Sequence, residues 1–196
     1  MNRCHFRELL LVFGLLMISA HGWAQSGSVA SLGPAQMATL RSQVEEFEAL
    51  INRDLQSALD HPFGMLQDPK GTYLPSFGVV FHMELNLAPM RMMTMFDVRP
   101  YTEEELQQTR QAKLQRIGNL KAHLSELLRL HGGELSVLSQ EQRIAVTVHL
   151  FNMPSERTEG LPTQLILEVS RGAITELQAR KATAEEFRNE ITILDF

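Results

Sequence analysis

Residues 79–87 alternate so regularly that they fix much of what the rest of the chain must supply. Val79, Phe81, Met83, Leu85 and Leu87 fall on one side, and Val80, His82, Glu84 and Asn86 on the other. Successive side chains of a strand point to opposite faces, so this segment needs an apolar layer against one face and tolerates water on the other. The remaining chain must therefore provide strands to pair with it and something to cover it.

Candidate strands recur after the midpoint. Ile144, Val146, Val148 and Leu150 alternate with Ala145, Thr147, His149 and Phe151, and Leu165, Leu167 and Val169 alternate with Ile166, Glu168 and Ser170. A polar loop with Pro154, Gly160 and Pro162 joins them, and Ile191 to Leu194 has strand composition. The cover comes from two helical patterns. Met37, Leu40, Val44, Phe47, Ile51, Leu55 and Leu59 recur at steps of three and four, which predicts a helix over Ala35 to Leu59 with Pro34 in its first turn. Thr102 with Glu105 is a capping box opening a second helix that runs to about His131, where Gly132 and Gly133 stop it.

The apolar face of that second helix is carried by Leu106, Ile117, Leu120, Leu124, Leu127 and Leu128, and its polar first half is expected to face solvent. His61-Pro62, Gly64, Asp68-Pro69 and Gly71 read as a loop. Ala173 to Arg180 reads as a short helix, and Thr183 with Glu186 repeats the capping signature. The expected fold class is α+β: a two-layer sandwich with a mainly antiparallel sheet of three to four strands and two long helices on one face.

The first 24 residues read as a cleaved signal peptide rather than as part of this fold. Arg3 and Arg7 precede an apolar run from Leu9 to Ile18, and Gly22-Trp23-Ala24 supplies small residues before a cut. That run is about half of the ~20 residues a bilayer-spanning helix needs, so no stable transmembrane segment is expected after cleavage. Residues 25–33 read as a flexible leader and 34–196 as a single domain. The protein is accordingly expected to be exported, to a periplasm or the extracellular space.

Composition narrows the chemistry once that segment is set aside. The whole chain has 18 basic and 23 acidic residues. Without Arg3, Arg7 and Glu8 the mature part keeps 16 and 22, a formal charge of −6. The only cysteine, Cys4, and the only tryptophan, Trp23, go with the leader. A cysteine-free exported domain has no thiol nucleophile, thiolate metal site or disulfide. Net negative charge argues against nucleic acid as a partner. The chain also lacks G-x-S-x-G, S-x-x-K, H-E-x-x-H, a phosphate-cradling P-loop and G-x-G-x-x-G, so no cheap route to an enzyme and no cofactor is indicated.

Three constellations remain. His82 and Glu84 share a strand face, and a neighbouring strand could add His149 and Thr147; two imidazoles and a carboxylate can hold zinc and leave a position for water. Met90, Met92, Met93 and Met95 crowd one connection, where thioethers suit either a soft metal such as Cu(I) or an adaptable contact surface, although Arg91 opposes a cation. Glu103, Glu104 and Glu105 could act as paired carboxylates, but helix-dipole complementation accounts for them without further assumption. The leading expectation is an exported noncatalytic protein that binds another protein or a cell-envelope component. The alternatives are a metal-dependent hydrolase using His82, Glu84 and His149, and a soft-metal or small-ligand carrier using the methionine cluster.

Overall fold

The computed structural model describes residues 32–59, 63–88 and 99–196. The expected signal peptide, residues 25–31 of the expected leader, and Met90, Met92, Met93 and Met95 lie outside the described residues. Leu32, at the end of that leader, is half-buried against the core.

The chain runs α1 (Pro34–Ala58), β1 (Gly64–Leu74), β2 (Gly78–Asn86), α2 (Glu103–His131), β3 (Arg143–Leu150), β4 (Gln164–Ser170), α3 (Arg171–Ala179), α4 (Ala184–Glu190) and β5 (Thr192–Asp195). The strands lie side by side in chain order. Pairings β1–β2, β3–β4 and β4–β5 are antiparallel, whereas β2 and β3 are parallel because the chain returns through α2 between them. The fold is thus α+β, with a mixed, mainly antiparallel sheet and helices packed on one face.

Among the described residues the sheet has five strands rather than three or four, and the additional one is β1. Its proline and glycines suggested a loop, yet each has a place at a sheet edge. The register slips between Met65 and Gln67 and again between Gln67 and Lys70, which accommodates Asp68-Pro69 where one side of the strand has no ladder to complete. Gly71 is small because α1 comes down on it: a Cβ there would lie 2.4 Å from Val44 Cγ1 and 2.9 Å from Phe81 Cε1. Gly78 opens β2 with φ +134°, and a Cβ would sit 2.0 Å from the Arg143 carbonyl oxygen, so close contact with β3 excludes any side chain.

The alternation in β2 is realised as expected, with Val79, Phe81, Met83 and Leu85 fully buried. Leu40, Val44, Phe47, Ile51 and Leu55 of α1 descend on this side, and the Phe47 and Phe81 rings meet with centroids 4.8 Å apart at 32°. Ile117, Leu120, Leu124, Leu127 and Leu128 of α2 complete the layer together with α3 and α4.

The first half of α2 is largely exposed, as its polar sequence predicts, but Lys113 departs from that expectation. Lys113 is 1% exposed, and its ammonium donates to the Phe151 carbonyl at 2.8 Å and to Glu156 Oε2 at 2.5 Å. The Glu156 side chain is itself 3% exposed. A polar helical segment need not face water when its charges are matched by partners across the contact.

Candidate functional site

With the helices gathered on one face, the outward residues of the strands form a surface that no described helix covers. The ladder register arranges them in rows. One row runs Lys70, His82, Thr147, Ile166 and Leu194; a second runs Gln67, Glu84, His149 and Gln164; a third runs Thr72, Val80, Ala145, Glu168 and Thr192. Each outward position follows from the same period-two pattern that buries its neighbours.

The strand bearing His149 does pair beside the one bearing His82 and Glu84. Glu84 stands opposite His149, and His82 opposite Thr147. His82, Glu84 and Thr147 are half-buried and His149 is exposed. Among the described residues, no hydrogen bond or ion pair engages these four side chains. Their donors and acceptors are therefore open to solvent or to a partner. Among the described residues, no group of three His, Cys, Asp or Glu side chains is placed to hold a metal ion.

Charge on the face is largely compensated locally. Arg143 pairs with Glu168, and Lys70 reaches Glu48 of α1 at 3.2 Å while the Gly71 N–H donates to the same carboxylate at 2.7 Å. Val80, Ile166 and the 42% exposed Leu194 give the surface an apolar component. Mixed apolar and unengaged polar groups on a firm sheet suit recognition of a surface.

The acidic run behaves as a helix start. Glu105 accepts from the Thr102 N–H at 2.8 Å and pairs with Arg99 at 2.7 Å, while Glu103 pairs with Arg157. Glu103 and Glu105 are thus engaged separately, by a loop arginine and by the cap, at the helix start where the dipole favours carboxylates.

A cleft of about 410 Å³ lies away from the sheet face, lined by Arg129, Leu130, Leu177, Gln178, Lys181 and Ala182. It sits where α2 and α3 end, and Arg129 lies in the last turn of α2, where a cation suits the negative helix end. Gln178 donates to the carbonyls of Arg129 and Leu130 at 2.8 and 3.1 Å, satisfying groups the helix leaves free. The hydrogen bond from Arg129 holds the Glu126 carboxyl below its ordinary range, with the Arg129 charge acting in the same direction.

Sequence reading did not find the neighbours that complete the face, Lys70, Ile166 and Leu194, because strand order had to be known first. Nor did it find the Lys113–Glu156 pair, although a signal existed. Lys113 extends the spacing of Ile117, Leu120 and Leu124 one turn toward the helix start, which places it on the inward stripe.

Comparison of this chain with protein-family models, curated proteins and solved structures gives no match.

Proposed function

We propose that this is a noncatalytic binding protein that works outside the cytoplasm and engages a protein or cell-envelope partner through the uncovered face of its sheet. The observation that carries the reading is the state of His82, Glu84, Thr147 and His149. They occupy adjacent register positions on a face without a described helix over it, and none of their side chains is engaged elsewhere in the described chain. A rigid sheet presents such groups with little loss of freedom on binding. Export belongs to the same proposal and rests on Arg3, Arg7 and the apolar run from Leu9 to Ile18.

The test uses the full chain expressed in its native cell with a photo-crosslinking residue in place of Thr147, beside a control carrying it at exposed Glu45 on α1. A discrete adduct from position 147, absent from position 45 and lost on adding His82→Glu, is the expected result. Equal labelling from both positions would overturn the binding face. Fractionation with N-terminal sequencing tests export: a mature end at Gln25 outside the cytoplasm is expected, and an intact Met1 end in the cytosol would remove that part of the proposal.

Metal-dependent hydrolysis at His82, Glu84 and His149 is the second reading; the register sets Glu84 beside His149, but the three side chains are not gathered to hold a metal ion. Stoichiometric zinc binding abolished by His82→Ala and by His149→Ala would promote it over the first.

A further inference from the structure

Residues 152–162, between β3 and β4, lie against the first half of α2, and what holds them there differs from what holds the rest of the described fold, whereas Phe151 and Thr163 on either side are still bonded to Leu85 and Phe196 of the sheet. None of these residues belongs to the buried apolar core; Leu161 packs against it while only partly buried. Between Asn152 and Pro162 the main chain bonds within itself, Glu156 N–H to the Met153 carbonyl at 3.0 Å and Leu161 N–H to the Thr158 carbonyl at 2.9 Å. Those bonds form local turns that survive if the loop swings away.

The ties to α2 come from charged side chains. Arg110 donates to the Glu159 carbonyl through Nε and Nη2 at 2.9 and 2.6 Å. Lys113 holds the Phe151 carbonyl and Glu156, and Arg157 pairs with Glu103.

We propose that residues 152–162, between the sheet-bonded Phe151 and Thr163, form a two-state strap, latched over α2 by Lys113–Glu156, which opens as a unit while the sheet stays folded. Three features point the same way. The strap buries little apolar surface, its internal turns are self-contained, and its ties to α2 are polar, which are the marks of a segment with a low opening free energy. The strap shut, Lys113 is masked and Arg110 is committed to a loop carbonyl. The strap open, Arg110 is released and Lys113 loses Glu156 while keeping the Phe151 carbonyl.

Hydrogen exchange of the full chain, followed by mass spectrometry, tests this. In the unmodified protein, amides of 152–161 are expected to exchange by an opening that is nearly insensitive to low denaturant, unlike those of β3 and β4. Lys113→Met leaves Glu156 unpaired only while the strap is shut, so strap exchange should rise about tenfold or more with β3 and β4 unchanged. Lys113→Met/Glu156→Met removes both charges and should slow it again.

Strap exchange in Lys113→Met that rises in step with β3 and β4, or does not move, overturns the proposal. So does a Lys113→Met chain that fails to fold, since the pair would then support the sheet itself. A double variant as fast as the single one would likewise show that the charge pair is not the latch.

Discussion

The two halves of α2 occupy the same stripe of one helix and hold their neighbours by opposite means. From Ile117 to Leu128 the inward positions are nearly or fully buried against the sheet and α3, and all are apolar except Ser125, whose hydroxyl donates to the Lys121 carbonyl within the helix. One turn earlier, Lys113 takes the same inward phase and meets a loop carbonyl and a carboxylate. Apolar contacts lose energy by degrees as atoms are removed, because attraction scales with area. A buried charge pair is conditional: it holds while both partners are present, and removing one leaves the other desolvated.

Breaking the apolar half should give the largest effect. Leu124→Ala, at a fully buried position, is expected to cost about 3 kcal/mol of global stability in denaturant unfolding. A loss below about 1 kcal/mol would mean that this half is not the firm one.

Breaking the polar half should cost less. A broken buried pair generally costs about 3–5 kcal/mol, but a strap that opens lets Glu156 rehydrate, so Lys113→Met should cost only about 1–2 kcal/mol. The same denaturant curves check this, and a cost equal to that of Leu124→Ala would erase the distinction between the halves.

Two smaller effects sharpen the comparison from the helices that cover the apolar half. Lys181 follows α3 with φ +53°, in the left-handed region that a side chain disfavours, while the Ala182 N–H donates back to the Leu177 carbonyl at 2.8 Å. Lys181→Gly relieves that strain and should raise stability by up to about 1 kcal/mol, read as an increased thermal midpoint. A fall would assign the ammonium a contact worth more than the backbone strain.

The smallest effect concerns pH. The backbone N–H of Thr183 at 2.7 Å, and then the Thr183 hydroxyl, hold the Glu186 carboxyl below its ordinary value of 4.5. A lowered folded-state value adds stability above the ordinary one and loses it as pH falls through the lowered one. Glu186→Gln should therefore flatten the acid limb of a stability profile below pH 4.5 and leave neutral-pH differences between the halves of α2 in place. An unchanged acid limb would show that this cap contributes no linkage.

Much of the architecture was legible because burial imposes a period on local sequence. The alternation in β2, β3 and β4 and the three–four spacing in α1 and later α2 each identify an element and its inward face without reference to distant residues. The capping boxes at Thr102 and Thr183 were equally local. β1 was not legible, because Pro69 and Gly71 carry the same letters in a turn as at an irregular edge strand under a helix. Only the position of Val44 and Phe81 above Gly71 tells the two apart.

Of the candidate face, the sequence placed His82 with Glu84 and Thr147 with His149, since residues two apart on a strand share a side. Bringing the two pairs together required the parallel register of β2 and β3, which depends on how α2 returns the chain. The partnership of Lys113 with Glu156 was beyond any local rule, since 43 positions separate them and their energy exists only across the contact. Short-range periodicity determined which side of each element faces in; the tertiary structure alone decided which charges meet, because pairing and desolvation are properties of two surfaces brought together.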